Sequence, residues 1–210
     1  KIFFWAVKKA GAYDIGVKPG FSGIIADRLV YSKIKEGLGG NVKCIVSGSA
    51  ALQTRLAKFF WGIGIPILEG YGQTEGMTMT FLSQEDHQLA VAGDHPERLG
   101  SCGREGFVSE IRVVDPEGRP VLKDGSAYGE IIVRSEANMI GYWRRPDLTE
   151  KTLRDGWMWT GDIAVWDEQG YVFIVDRAKD MIISGGENIY STQVEAAIHQ
   201  HSAVLESAVF

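Results

Sequence analysis

The sequence is short of cysteine: Cys44 and Cys102 are its entire complement, and neither sits in a Cys-x-x-Cys pair. A disulfide framework is excluded, and a reducing, cytoplasmic setting is the expectation. Cationic excess is missing too. Lys and Arg number 22 against 27 Asp and Glu, a net charge of −5, whereas a duplex-binding surface needs the opposite balance, so no nucleic-acid partner is expected. The opening apolar stretch Ile2-Phe3-Phe4-Trp5-Ala6-Val7 is cut off by Lys8-Lys9, far short of the roughly 20 residues of a membrane span; no transmembrane segment is predicted. Internal repeats and low-complexity segments are also lacking. What is left is a globular composition, 45% hydrophobic and 23% charged over 210 residues, which can bury a core without staples and argues against disorder. That length fits one domain plus part of another. The absence of an initiating methionine and the strand-like ending Leu205 to Phe210 give the expectation of a piece cut from a longer chain.

Apolar spacing predicts a helix over residues 1–13 and another over 26–38, stopped by Gly39-Gly40. A β-rich run follows at Val42 to Val46, then Leu52, Leu56, Phe59 and Phe60 at helical spacing, then Ile65 to Leu68. The connection is too long for a hairpin, so the two strands are expected to be parallel. Gly62-Ile63-Gly64 follows the helix instead of opening one, which reads as a helix stop and not a dinucleotide fingerprint. Cys44, beside Ile45 and Val46, is expected to be a buried inert thiol, and the six tryptophans to belong to the core. After residue 95 short alternating segments and turns predict hairpins and a small barrel or sandwich. Asp167 to Gly170, between Ile163–Trp166 and Tyr171–Val175, is a hairpin turn signal. Four of the five residues Asp176-Arg177-Ala178-Lys179-Asp180 are charged, and a domain boundary is placed there. Beyond it a short Met181–Ile183 strand, a Ser184-Gly185-Gly186 loop and a helix from about Thr192 are expected, with Glu195 completing a capping box.

Ligands of open parallel sheets bind beyond the carboxyl ends of the strands. Two loops are expected at that edge, Ser47 to Ala50 and Glu69 to Gly76. In the second, the glycines flanking Tyr71 free the backbone and leave an aromatic face open to a flat base. The Thr74 hydroxyl suits a phosphate oxygen, and the hard carboxylate of Glu75 suits Mg²⁺. A plain turn with a packed tyrosine fits the same residues. His199 and His201, two apart on a helix, face different ways and do not read as a metal pair.

Tyr71-Gly72-Gln73-Thr74-Glu75 resembles the YG-x-TE motif of the adenylate-forming superfamily, which comprises acyl-CoA synthetases, luciferases and nonribosomal adenylation domains. Three further segments resemble family motifs in the family's order: Ser47 to Leu52, with Ser49 and Ala51 where Gly and Pro are common; Trp159-Thr160-Gly161-Asp162; and the hinge-like run Asp176 to Tyr190. The resemblance covers the chain from residue 42, and the helical start looks most like long-chain fatty acyl-CoA synthetases. It implies an α/β fold in three parts: the end of a parallel-sheet subdomain (1–95), a small β-rich, barrel-like subdomain (96–177), and the hinge and start of a small mobile C-terminal α/β domain (178–210).

The resemblance also implies roles. Ser49, Ala50, Glu69, Gly70, Tyr71, Gly72 and Thr74 would line ATP or AMP, Asp162 would accept from the ribose hydroxyls, and Arg177 would reach ribose or phosphate. Glu75 would hold Mg²⁺, Lys179 would be the hinge, and Gly185 and Gly186 would let CoA approach. Catalytic roles fall on Thr74, Glu75 and Lys179. The implied reaction joins a carboxylic acid, fatty on this resemblance, to AMP using ATP, then transfers it to CoA. The family's phosphate loop and late catalytic lysine have no match in these 210 residues, so the chain alone is expected to be inactive. Rival readings are an adenylation domain that loads a carrier protein and a non-catalytic nucleotide-binding module; the second is disfavoured because Thr74, Glu75, Asp162 and Arg177 are all present.

Overall fold

The computed structural model describes residues 1–12, 20–48, 54–185, 187–199, 201, 203, 204 and 206–209. The chain forms two compact units, Lys1–Tyr71 with Phe81–Gly103, and Gly72–Thr80 with Arg104–Phe210.

The first unit is helical around a short parallel strand pair. Helix α1 (Ile2–Gly11) buries only its small residues, Ala6 and Ala10. α2 (Phe21–Ala26), a π-helical turn (Asp27–Tyr31) and α3 (Ser32–Gly37) follow, so the predicted second helix starts earlier than expected. Gly39 and Gly40 stop it with φ of 94° and 75°. Strand β1 (Ile45–Ser47) lies parallel to β2 (Ile67–Gln73), with Ile45 opposite Ile67 and Ser47 opposite Glu69, as the long connection requires. Cys44 lies just before β1 and is exposed, not the buried thiol expected. Helix α4 (Thr54–Gly62) ends at the predicted stop. A Cβ on Gly62 would fall 2.1 Å from the Ala10 carbonyl oxygen, so glycine is what allows α1 to approach α4. Ala6, Ala10, Val30, Tyr31, Ile63 and Ile65 form one core cluster, and the Tyr31 hydroxyl donates to the Ala6 carbonyl at 2.7 Å. Helix α5 (Gln84–Ala92), which the apolar spacing did not predict, is capped by Ser83, whose Oγ accepts from Asp86 N, and is ended by Gly93 at φ 99°.

The second unit is β-rich. It takes in the turn between β2 and β3 (Met77–Phe81) and, beside β3, the two-residue strand β4 (Arg104–Glu105). Its main sheet has strands β5 (Ser109–Val114), β6 (Gly129–Ser135), β7 (Leu153–Arg154), β8 (Trp157–Trp166) and β9 (Val172–Arg177), preceded at β7 by helix α6 (Pro146–Thr152). All pairings in it are antiparallel, and β8 pairs with β6, β7 and β9. Among the described residues this sheet stays open and forms no closed barrel. Ile131, Val133, Met158 and Ala164 are completely buried, and Ile132 between the first two is buried as well. Trp166 is buried as predicted, whereas Trp143 stands 84% exposed.

The β8–β9 hairpin turns where the sequence predicted, Asp167 Oδ1 accepting from Gln169 N and Tyr171 N. A second hairpin, β10 (Ile182–Ser184) with β11 (Glu187–Ile189), precedes helix α7 (Ser191–Ile198). The expected capping box does not form, because the helix starts one residue early. Asp176 Oδ2 accepts from Ser191 N and Ser191 Oγ at 2.6 and 2.8 Å. The Thr192 hydroxyl donates to the Val175 carbonyl and Glu195 accepts from Val209 N instead.

Candidate functional site

β2 does not end at Leu68 but runs through Gln73, so most of the expected loop is strand. Its alternation puts Ile67, Glu69 and Tyr71 on the buried face and leaves Leu68, Gly70 and Gly72 partly exposed. Tyr71 is 6% exposed, which corrects the expectation of an open aromatic face: flanking glycines do not expose a side chain whose strand period turns it inward. Glu69, 5% exposed, lies 3.9 Å from Nε2 of the fully buried His87. Burial pushes the His87 pKa below the usual histidine value, against opposing carbonyl contacts at Ser83 and Leu82 and the charge of Asp86. Ser49 and Ala50 lie outside the described residues.

In the second unit the turn Thr74-Glu75-Gly76 follows Gly72 and Gln73. A Cβ on Gly72 would lie 1.9 Å from the Met77 carbonyl oxygen, so only glycine fits. Thr74 is exposed and Glu75 half-buried. The Tyr142 hydroxyl donates to Glu75 Oε1 at 2.9 Å. Burial, and then the bond and charge of Glu75, raise the Tyr142 pKa, opposed by Thr152.

Asp162 is set by a bulge in β8. Opposite β6, Ile132 pairs with Trp159 and Glu130 with Ile163, so Thr160, Gly161 and Asp162 face Ile131 alone. Such an insertion leaves polar groups unpaired and bends the strand. Here side chains close the gap: Thr160 Oγ1 donates to the Ile131 carbonyl at 2.8 Å, and Gly161 N donates to Glu130 Oε1 at 2.9 Å. Gly161 takes φ 74°, a conformation that glycine adopts without strain. Burial raises the Glu130 pKa, and the charge of Asp162 adds to this, while the Gly161 N–H and Arg154 oppose it. The bulge leaves Asp162 6% exposed, with Gln73 Nε2 donating to its Oδ2 at 2.6 Å and to the Thr160 carbonyl at 3.0 Å. Arg177, directly across the ladder, brings Nε to 3.5 Å from Asp162 Oδ1.

The structure therefore brings Gln73, Asp162 and Arg177 together. Lys179 sits apart from them in an exposed turn after β9, where Asp180 N and Met181 N donate to the Arg177 carbonyl. Gly185, at φ 64°, makes the β10–β11 turn; Gly186 lies outside the described residues. Sequence reasoning missed Gln73, Glu130, Tyr142 and Asp176. Gln73 occupies the variable position of its motif, and the other three partner residues remote in sequence. Among the described residues no helix is long and apolar enough to cross a membrane, and no cluster of three His, Cys, Asp or Glu could cage a metal.

Residues 7–143 match the profile of the AMP-binding enzymes. The chain belongs to this family. Its relatives include a feruloyl-CoA synthase of Amycolatopsis, 38% identical over 80% of this chain and 33% of the relative. A medium/long-chain-fatty-acid–CoA ligase of Mycobacterium tuberculosis is 37% identical over 80% of the chain and 28% of its own length. The solved O-succinylbenzoate coenzyme A synthetase of Bacillus subtilis, in complex with ATP and magnesium ion, matches with a TM-score of 0.68 and 30% identity, over 84% of this chain and 37% of that one. The chain thus spans about a third of the length of these AMP-binding relatives.

Proposed function

We propose that the protein carrying this chain activates a carboxylic acid with ATP, releasing pyrophosphate and forming an acyl-adenylate, and then passes the acyl group to CoA. The carrying observation is the Thr160–Asp162 bulge, which sets a buried carboxylate between Gln73 and Arg177. An ionised carboxylate can accept from two ribose hydroxyls at once, and a guanidinium beside it can add a charge-assisted bond to ribose or phosphate. Two of the partners of Asp162, Gln73 and Arg177, are side chains, which can turn aside for a ligand. Thr74, exposed on the turn, offers a hydroxyl to a phosphate oxygen. Glu69, Gly70, Tyr71 and Gly72, with Ser49 and Ala50, fall to the adenine side in this reading.

Mg²⁺ commonly binds through one or two carboxylates plus substrate phosphates, without a dedicated protein cage. The donor set here fits that habit: Glu75 supplies one hard oxygen from a turn, and no three-residue cluster exists among the described residues. When bound with ATP, the ion would counter phosphate charge during attack by the carboxylate. Catalysis then rests on positioning and charge stabilisation. Lys179 serves as the pivot for a small domain starting at about residue 178, and Gly185 with Gly186 admits the CoA arm. A fatty acid is the proposed acyl class, and a cytoplasmic setting the proposed location. Without a phosphate loop or late lysine in its 210 residues, the isolated chain is expected to give no adenylation.

The test is pyrophosphate release by the full-length protein across alkyl and aryl acids, followed by AMP release with and without CoA. Fatty acids should support both steps. Pyrophosphate release without transfer to CoA would replace CoA by another acceptor, and no release with any acid would overturn the reading.

A further inference from the structure

Tyr142 has no part in the reading above, yet its hydroxyl donates to Glu75 across 67 residues of sequence. The segment that carries it is fastened at both ends. Asn138 N and Nδ2 donate to the Ser135 and Val133 carbonyls at 3.2 and 3.0 Å, where β6 ends. Tyr142 N donates to Thr149 Oγ1 at 2.9 Å, and that hydroxyl donates to the Arg145 carbonyl at 3.0 Å. Between these anchors Met139 N donates to the Glu75 carbonyl at 2.6 Å. Packing is equally close, since a Cβ on Gly76 would lie 3.0 Å from Asn138 Oδ1 and nearer still to the tips of Met79 and Met158. Residues 138–142 form a strap that holds Glu75 by backbone and side chain together.

The chemistry of the clamp is specific. A lysine or arginine would hold the carboxylate but cancel its charge, whereas a tyrosine hydroxyl is neutral and has one proton to give. It fixes one oxygen and leaves the negative charge and the second oxygen for a hard cation. A turn carboxylate ordered in advance also loses less rotamer freedom on binding, which is how groups behind a metal ligand raise affinity. We propose that Tyr142 is a positioning residue that holds Glu75 in the orientation required by the divalent cation accompanying the nucleotide. The proposal rests on the reading of Glu75 as the residue facing Mg²⁺.

The full-length protein is titrated with Mn²⁺ in the presence of ATP, following free Mn²⁺ by electron paramagnetic resonance, and ATP affinity is measured by calorimetry with EDTA. Tyr142→Phe removes one oxygen and should weaken Mn²⁺ binding about three- to tenfold, with metal-free ATP affinity unchanged. Glu75→Gln separates the two claims. If it leaves Mn²⁺ binding as in wild type, the reading of Glu75 falls; if it weakens binding and Tyr142→Phe does not, the Tyr142 proposal alone falls. Adding Tyr142→Phe to Glu75→Gln should cost nothing more, and an additive loss would overturn the linkage. Thr149→Val removes the acceptor of Tyr142 N but keeps the Tyr142 hydroxyl that reaches Glu75, so it should give a smaller loss in the same direction. If Tyr142→Phe does not fold, wild-type Mn²⁺ binding in Thr149→Val decides against the proposal.

Discussion

Asp162 and Asp176 occupy neighbouring places in the β8–β9 ladder, Asp162 opposite Arg177 and Asp176 opposite Ile163, and they are buried almost equally, to 6% and 7% exposure. Their partners differ in kind. Asp176 accepts from Arg177 N through Oδ1, and from Ser191 N and Oγ through Oδ2. The two backbone donors among them, Arg177 N and Ser191 N, cannot leave without unfolding the turn or the start of α7. Asp162 counts among its partners the side chains of Gln73 and Arg177, and side chains can rotate. Burial alone therefore does not separate a structural carboxylate from the ribose-binding one proposed for Asp162; the kind of donor each keeps is what distinguishes the two in that proposal.

The largest expected effect is on the structural member of the pair. Asp176→Ala leaves Ser191 N and Oγ, buried at the start of α7, and Arg177 N, at the end of β9, without their acceptor, and loss of a cap together with a stranded buried donor costs about 2 to 3 kcal/mol. Chemical denaturation of the chain should show that loss. Stability within a few tenths of wild type would make Asp176 and Asp162 alike and dissolve the distinction.

Asp162→Ala should do the reverse. Hydrogen bonds to charged groups are worth roughly 1.5 to 3 kcal/mol, so ATP affinity of the full-length protein should fall at least about tenfold. Its unfolding midpoint should move less than that of Asp176→Ala. Unchanged affinity by calorimetry would remove Asp162 from the proposed ribose contact.

The sequence carried the periodic parts of this contrast and not the remote ones. The β8–β9 hairpin was legible because alternation flanks an Asp-to-Gly turn, and the parallel β1–β2 pair because the connection is long. Helix α5 was not, although Ser83 and Gly93 mark its ends: Leu89, Ala90, Val91 and Ala92 crowd its last turn instead of recurring along one face. At Tyr71 the flanking glycines point to an open face, whereas the strand period turns the side chain inward. Asp162 and Arg177 stood in motifs. The residues that hold their surroundings, Gln73 at 89 positions from Asp162 and Glu130 at 31 from Gly161, leave no local trace, since only the folded sheet and its bulge bring them near.

Just past the ladder, Lys179→Pro sharpens the contrast between fixed and movable donors. Asp180 N and Met181 N carry the bonds of this turn to the Arg177 carbonyl, so proline at 179 deletes neither of them but fixes φ and restricts Ala178. Pyrophosphate release by the full-length protein should survive better than acyl transfer to CoA, by about tenfold for a hindered rotation worth near 1.4 kcal/mol. Equal losses in both steps would make Lys179 an ordinary turn residue.

The smallest effect concerns a buried group that neither a cation nor a mobile amide holds. His87 is fully buried in the first unit, with Nδ1 3.1 Å from the Ser83 carbonyl, an arrangement that places its proton on Nδ1. Burial lowers its pKa below the ordinary value, so the folded chain keeps the ring neutral where the unfolded chain takes up a proton. Above about pH 6.5, the unperturbed histidine value, both states are neutral and His87 adds no slope. As pH falls through that value toward the lowered folded one, the unfolded state gains protons first and stability declines. His87→Asn keeps a donor for the Ser83 carbonyl and removes the titration. Denaturant midpoints at pH 7.5 and 5.5 should differ less in His87→Asn than in wild type, even though the variant is less stable at both. An equal difference in the two proteins would assign the acid sensitivity to other groups and leave His87 an inert core residue.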